Sequence, residues 1–314
     1  MSEKRRSTIL DWLVYLAARA IVCVLQALPF AMACRFADFM AWFMYKIDKR
    51  HRQVALENLR IAFPGEYTEA ELDVLVRKVY RHFCLMGIEI LFLPRLVHNG
   101  NWRRVLHYRN EAEAGQMVDL WIAGRPVLMA TGHFGNWEVS SYVLGLLGIE
   151  FCAIARPLDN PFLDAWLRRF REAHGQKMLA KKGDFDQIQG VLARGGVLGT
   201  LADQDAGRRG LFVNFLGRPA STHKAVALLS LEHNVPIAVI AAARLRRPLE
   251  YLALVEEVIY PEEYAGRTDA VKAITQRFTT ALERMVRQYP EQYFWLHRRW
   301  KHKPVVKSKK SAAA

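Results

Sequence analysis

Apolar residues follow two kinds of pattern along the chain. Residues 9–47 are strongly apolar, interrupted by charges at Asp11, Arg19, Arg35 and Asp38. From residue 126 onward, short apolar runs alternate with segments of helical period. Such alternation predicts an α/β domain with a mixed, largely parallel sheet flanked by helices. The apolar beginning predicts a helical region ahead of that domain.

Short apolar runs predict strands at 126–130, 149–155, 197–202, 236–243 and 251–258. Periodic segments predict helices at 51–63, 68–94, 139–147, 161–170, 184–194, 221–233 and 268–289. We expect Ser221 and Thr222 to cap the helix that ends near residue 233. Residues 207–217 are punctuated by glycine and predict a loop. Arg81 and Glu89 are charges within an apolar helix, and we expect them on a solvated face.

The N-terminal region has three possible interpretations. Its longest uncharged run, residues 20–34, has 15 residues and contains Pro29, whereas a straight membrane span needs about 20. The region is therefore a tilted span with Arg19 snorkelling, a helical hairpin in the membrane interface, or a secretion signal cut near residues 31–33. Apolar and aromatic residues continue past that cut, which disfavours a signal. Both remaining interpretations predict membrane attachment.

The domain organisation follows from these patterns. We expect a membrane-attached helical region at 1–50, an α/β domain at 51–303, and a disordered basic tail at 304–314. The chain of 314 residues has 45 Lys and Arg against 31 Asp and Glu, a net charge of +14. Such a protein binds nucleic acid, an anionic membrane or an acidic partner. Its four scattered cysteines favour a reducing compartment.

The segment TGHFGNWE at residues 131–138 directly follows the first predicted strand. Open α/β sheets place their chemistry at the carboxyl ends of strands. With His133 in the loop and Glu138 in the first helical turn, the two side chains can meet, and a carboxylate raises the basicity of the imidazole. The amides of Gly132 and Gly135 are candidates for holding an oxyanion. Alternatively, Glu138 only caps the helix and His133 is a buried polar residue.

Two further strand ends carry polar residues. Arg156 follows the run 149–155, and Asp203 and Gln204 follow the run 197–202. Parallel strands end at one rim, so we expect these side chains to contact the substrate near His133. Guanidinium groups suit phosphate. The alternatives are a surface arginine and ordinary turn residues.

The segment at 131–138 resembles the His-x4-Glu motif of glycerolipid-type acyltransferases, and its GHFGNWE form resembles the branch that adds late acyl chains to lipid A. Two flanking segments are also similar to that branch: residues 58–64 and the sequence YPEQYFWLHRRWK at 289–301. Arg156 resembles the family's second motif, and Asp203-Gln204 its third. The resemblance extends from about residue 50 to residue 303.

This resemblance implies a membrane-associated O-acyltransferase in which His133 and Glu138 are catalytic. The implied donor is acyl-acyl carrier protein, or less often acyl-CoA, and the implied acceptor is an anionic lipid A precursor. The implied location is the cytoplasmic face of the inner membrane. No cofactor or metal is implied, and no serine or cysteine stands beside His133 for a covalent intermediate. A lysophospholipid or another glycolipid remains an alternative acceptor.

Two other classes of protein are less consistent with the sequence. A nucleic-acid-binding protein is allowed by the charge and the Arg/Trp-rich C-terminus, but not by the apolar N-terminus. We therefore expect no nucleic-acid partner. An esterase of similar architecture needs a Gly-x-Ser-x-Gly elbow, which the sequence lacks.

Overall fold

The computed structural model describes residues 7–108, 111–173, 175–180 and 185–304. The predicted tail at 304–314 lies outside these residues except for Pro304. The helices are α1 (Thr8–Ala27), α2 (Phe30–Ile47), α3 (Lys49–Ala62), α4 (Glu69–Leu96), α5 (Glu111–Ile122), α6 (Trp137–Leu146), α7 (Pro161–Glu172), α8 (Phe185–Ala193), α9 (Ala225–His233) and α10 (Ala270–Gln288). The strands are β1 (Leu106–Tyr108), β2 (Val127–Thr131), β3 (Phe151–Ala155), β4 (Gln176–Ala180), β5 (Val197–Leu201), β6 (Leu211–Phe215), β7 (Arg218–Thr222), β8 (Ile237–Arg244) and β9 (Tyr251–Ile259).

A seven-stranded sheet in the order β1-β9-β8-β2-β5-β3-β4 forms the centre of the fold. Its neighbouring strands are parallel except for the antiparallel pair β8 and β9. Buried residues of α3, α4, α9 and α10 pack with the central strands into the largest core cluster. The predicted α/β class, with a mixed and largely parallel sheet flanked by helices, is confirmed.

The structure contains strands that the apolar pattern did not predict. β4 lies in a basic segment, β1 is only three residues long, and β6 and β7 form a separate hairpin in the glycine-punctuated loop. The predicted cap at Ser221 and Thr222 is wrong, because both residues belong to β7 and α9 begins at Ala225. The Ser221 hydroxyl instead donates to the Gly207 carbonyl at 2.6 Å.

Helix α4 joins the N-terminal helices to the sheet domain. It begins with a capping box between Thr68 and Glu71. Small residues of α2, Ala33 and Ala37, are buried against Leu85 and Ile88 of α4. The predicted domain boundary after residue 50 falls in the first turn of α3. Helix α1 is long enough and apolar enough to cross a membrane. Signal sequences also meet this criterion of length and composition.

Candidate active site

The neighbouring strands β2 and β5 bring two side chains together at their carboxyl ends. They pair in parallel with Thr131 opposite Leu201, and the Ala202 amide extends the ladder by donating to the Thr131 carbonyl at 2.9 Å. His133 lies two residues beyond the end of β2, and Asp203 lies two residues beyond the end of β5. The aligned register therefore sets the imidazole beside the carboxylate.

Asp203 holds both the backbone and the ring of His133. Its Oδ2 accepts from the His133 amide at 2.9 Å, and its Oδ1 lies 2.8 Å from Nδ1 of the ring. Because the carboxylate is an acceptor, Nδ1 carries the proton and Nε2 has the free lone pair. The His133 side chain is 21% exposed and that of Asp203 only 4%. A substrate can therefore reach the imidazole while Asp203 stays covered.

The electrostatics of this pair favour a basic imidazole. Burial alone would lower the pKa of His133, but the charge of Asp203 and its hydrogen bond outweigh burial and raise that pKa. Burial would raise the pKa of Asp203, but His133 and the charge of Arg299 hold that pKa below its usual value. Asp203 therefore stays ionised where it supports the imidazole.

Glu138 does not occupy the position that the motif spacing predicted. Its carboxylate forms an ion pair with Arg171 of α7, with Oε2 3.2 Å from Nε and a second contact between Oε1 and Nη2. The predicted contact between Glu138 and the imidazole is wrong, because the Glu138 carboxylate pairs with Arg171 and the carboxylate partner of the ring is Asp203. Helix α6 is capped by Asn136, whose side chain accepts from the Val139 amide. Glu138 takes no part in that cap.

The two glycines beside His133 differ in what their amides do. The Gly135 amide donates to the Gln292 carbonyl at 3.0 Å, so it is not free to hold an oxyanion as predicted. Gly135 has φ +61°, and a Cβ there would lie 2.1 Å from the Ala242 carbonyl oxygen. A Cβ on Gly132 would lie 3.1 Å from Cγ of Asp203. Position 135 therefore requires glycine, whereas a Cβ at position 132 would make the Asp203 or Leu282 side chain shift slightly.

A segment near the C-terminus pairs with the loop that carries His133. The Phe294 amide donates to the His133 carbonyl at 2.9 Å, and Phe134 and Tyr293 form an antiparallel bridge. The rings of Trp137 and Phe294 lie 5.3 Å and 5.9 Å from that of His133. These contacts explain why an aromatic segment near the end of the chain belongs to the same site as the histidine motif.

A network of buried polar side chains binds the loop that carries His133. Glu89 is fully buried and accepts from Nε of Arg244 at 3.1 Å, so the predicted solvated position of Glu89 is wrong. Arg244 also contacts Nδ1 of His82, whose Nε2 donates to the Gly135 carbonyl at 3.0 Å. Burial and the Arg244 charge keep the pKa of His82 well below its usual value, so that ring is neutral. The network links α4, β8 and the His133 loop.

Two cavities lie between α6 and the sheet. The first is lined by Thr131 and Trp137 beside the His133 loop, by Glu138 and Arg171, and by mainly apolar residues of the strands. The second lies towards α5. The two share lining residues, which are Met129, Ser140, Leu144, Ile240 and Ala241. The cavities therefore adjoin beneath α6.

The other predicted site residues lie at the same edge of the sheet. Arg156 follows β3, and its side chain is 85% exposed and paired with Asp159 at 2.8 Å. Gln204 follows Asp203 and is half-buried. Arg171 was not predicted as a site residue. The signal that could have identified it is its position directly after the predicted helix at 161–170. Within the described ranges, no group of three or more His, Cys, Asp and Glu side chains is arranged to hold a metal.

A carboxylate-supported imidazole beside a largely apolar cavity has the chemistry needed to take a proton from a hydroxyl group. Comparison with known proteins gives the family. The model of the bacterial lipid A biosynthesis acyltransferases matches residues 2–302, and the chain belongs to this family. It is an acyltransferase.

Relatives are similar over nearly their whole length. The lipid A biosynthesis lauroyltransferase of Escherichia coli (strain K12) is 24% identical over 303 residues, which cover 93% of this chain and 92% of the relative. The palmitoleoyltransferase of the same organism is 24% identical over 303 residues, with 95% and 94% covered. A lipid A biosynthesis acyltransferase of Haemophilus influenzae is 25% identical over 310 residues, with 95% and 92% covered.

Proposed function

We propose that the protein moves a fatty acyl chain from a thioester to a hydroxyl group of a lipid A precursor at a membrane surface. The observation that carries this proposal is the hydrogen bond from Nδ1 of His133 to Asp203, which leaves Nε2 free as a general base. In this proposal residues 51–303 perform the reaction and residues 1–50 attach the chain to the membrane.

The reaction is a direct transfer. Nε2 of His133 takes the proton from the acceptor hydroxyl while its oxygen attacks the thioester carbonyl carbon. The tetrahedral intermediate then collapses, the C–S bond breaks, and the imidazolium returns its proton to the leaving thiolate. Gly132 is the remaining glycine whose amide is a candidate for the oxyanion. Asp203 orients the base and stabilises the imidazolium, whereas a catalytic role for Glu138 stays a prediction.

The adjoining cavities are suited to an acyl chain. Their walls are mainly aliphatic and aromatic, and small residues such as Ser140 and Ala241 stand where the two meet. A hydrocarbon chain that enters beside Thr131 and Trp137 passes beneath α6 and leaves its thioester near His133. Burial of each methylene stabilises such binding by about 0.8 kcal/mol.

The donor and acceptor follow from charge and family. Acyl-acyl carrier protein is acidic, and a chain of net charge +14 attracts it. An anionic lipid acceptor at the cytoplasmic face of the inner membrane suits the same charge, with contacts from Arg156 and Gln204 at the rim. Acyl-CoA as donor and a lysophospholipid or other glycolipid as acceptor remain the alternatives. We propose no cofactor and no nucleic-acid partner.

The decisive experiment compares His133→Ala with the wild-type chain. Purified in detergent, each is supplied with acyl-acyl carrier protein or acyl-CoA and a lipid A precursor, and the products are analysed by mass spectrometry. We expect His133→Ala to lose at least ~100-fold in rate with its melting temperature preserved. His98→Ala, on an exposed loop, is the matched control. Wild-type turnover by a folded His133→Ala variant contradicts the mechanism.

A further inference from the structure

The two charged side chains of α1, those of Asp11 and Arg19, lie on the side that faces the protein. Asp11 is buried, and its carbonyl accepts from the Asn160 side chain at 2.8 Å. Tyr15 lies 6.1 Å from Phe162, and the guanidinium of Arg19 lies 5.7 Å from the Trp166 ring. These contacts recur at a spacing of four residues. One face of α1 is therefore laid along α7.

The far end of α1 is held by α4. Nε2 of Gln26 donates to the Leu91 carbonyl at 2.9 Å, and Arg95 donates to the Gln26 carbonyl. The contacts from Asp11 to Gln26 extend over about 22 Å of helix, at about 1.5 Å per residue. This is most of the roughly 30 Å that a membrane span requires. Nearly all of α1 is thus attached to the enzyme domain.

The helix beside α1 cannot accompany it through a bilayer. The twelve residues of α7 include five charged ones, which are Asp164, Arg168, Arg169, Arg171 and Glu172. Charged side chains in the hydrocarbon core are costly unless they line a polar interior. If α1 crossed the membrane, its contacts with α7 would carry these charges into that core. The packing of α1 against α7 is therefore incompatible with an α1 that crosses the membrane.

The opposite face of α1 is apolar and exposed. Exposed fractions are 73% for Ile9, 61% for Leu10 and 64% for Val24. Helix α2 presents a similar face, with Phe39 55% and Trp42 58% exposed. Its charges Arg35, Asp38 and Lys46 are likewise exposed, so α2 is also unsuited to crossing. Amphipathic helices with such faces lie at the boundary between headgroups and acyl chains.

We infer that α1 and α2 lie in the plane of one leaflet and that neither crosses the membrane. The inference rests on the proposed membrane attachment and specifies its form. The occupant of the apolar face is an anionic phospholipid leaflet, because the exposed cations Lys46, Lys49 and Arg50 stand at the α2–α3 junction, where acidic headgroups neutralise them. Both ends of α1 are then on the side of the enzyme domain.

The arrangement also explains how a lipid reaches the site. Helix α7 contacts α1 through Phe162 and Trp166, and it contacts the first cavity through Arg171. The leaflet is thus separated from that cavity by a single helix. An acceptor held in the leaflet needs only a short displacement to present its hydroxyl.

The first test measures sidedness in the full-length chain expressed in bacteria. Single cysteines replace Ser7, Ala27 and Arg247 in a background in which the four native cysteines are changed to alanine. An impermeant maleimide is applied to spheroplasts and to inside-out vesicles. We expect all three positions to react in inside-out vesicles and none in intact spheroplasts. Reaction of residue 7 alone from outside reveals a single span. Reaction of residue 27 alone from outside reveals a crossing hairpin, and either result overturns the inference.

The second test measures depth and decides the matter if headgroups shield residue 27. Spin labels are placed at Leu10 and Ala17, two turns apart on the exposed face, in vesicles containing phosphatidylglycerol. An in-plane helix gives both labels equal depth. A crossing helix puts residue 17 about 10 Å deeper than residue 10, which overturns the inference.

These outcomes are separable from failure of the proposed attachment. If the chain remains in the soluble fraction, including as a dimer with the α1 faces together, the membrane proposal itself fails and the inference with it. If His133→Ala retains turnover while both labels lie at equal depth, only the proposed chemistry fails.

Discussion

Both carboxylate oxygens of Asp203 bind His133, one through the backbone amide at 2.9 Å and the other through ring Nδ1 at 2.8 Å. A single side chain therefore fixes the loop and the tautomer together. Because Asp203 follows β5 and His133 follows β2, the geometry depends on the pairing of two strands and not on spacing within one motif.

Asp203→Asn and Glu138→Gln are expected to have different effects on turnover. The neutral amide at 203 stabilises the imidazolium poorly, and we expect a loss of ~100-fold in kcat. The glutamine side chain introduced by Glu138→Gln keeps a polar contact to Arg171, and we expect a loss below ~10-fold. Steady-state kinetics of both variants, with melting curves as controls, measures the difference. An equal loss in Glu138→Gln gives Glu138 the catalytic role that its motif implies.

The pH dependence of kcat/KM follows from the raised pKa of His133. The base works only when neutral, so activity falls as the pH drops through that pKa, which lies above the usual value of about 6.5. Asp203→Asn removes the interaction that raises the pKa while burial still lowers it. We expect the acid limb of the profile to move to lower pH in that variant, even as its maximum rate falls. A limb that stays in place contradicts the pairing.

Much of the fold was predictable because local pattern determined it. The apolar runs predicted β2, β3, β5, β8 and β9 to within about two residues at each end. The strand order is not local, since β3 and β4 lie between β2 and β5 in the chain but not between them in the sheet. His133 and Asp203 were each identified as site residues, yet their contact depends on that order. The sequence alone therefore favoured the nearer carboxylate, Glu138.

Glu89 shows a second limit of local pattern. A lone glutamate in an apolar helix is usually solvated, and its partner Arg244 is 155 residues away in the chain. Only the packing of α4 against β8 shows that the charge is buried and paired. By contrast, the prediction that Arg81 lies on a solvated face is confirmed, since Arg81 is 60% exposed and pairs with Asp38.

We expect Gly135→Ala to destabilise the fold by more than the cost of placing an alanine at a positive φ. Alanine at such a φ costs about 1 kcal/mol, and here its Cβ would also meet the Ala242 carbonyl oxygen. Gly266 has a similar φ of +74° with nothing within 4 Å, so Gly266→Ala is the matched control. Thermal or denaturant unfolding of both variants isolates the clash. Equal destabilisation shows that the loop moves away from β8 at little cost.

The buried and exposed ion pairs of α4 provide a direct comparison. Removing Glu89 leaves the Arg244 charge without its partner in the core, and we expect Glu89→Ala to lower the free energy of unfolding by about 3–5 kcal/mol. Removing the exposed Arg81 from its pair with Asp38 is expected to cost at most about 1 kcal/mol. Urea unfolding of Glu89→Ala and Arg81→Ala measures both. A small effect at Glu89 indicates that water reaches Arg244.

Arg156→Lys tests whether the rim binds the anionic part of the acceptor. Arg156 is exposed beyond β3 and pairs with the exposed Asp159, a carboxylate that a phosphate group can replace. Lysine keeps the charge but loses the bidentate geometry, and we expect the KM for acceptor to rise by ~10-fold with kcat and the donor response unchanged. Arg169→Lys, an exposed arginine on α7, is the control. Kinetics with donor and acceptor varied separately decide the assignment, because a weakened donor response with an unchanged acceptor response places Arg156 beside the thioester instead.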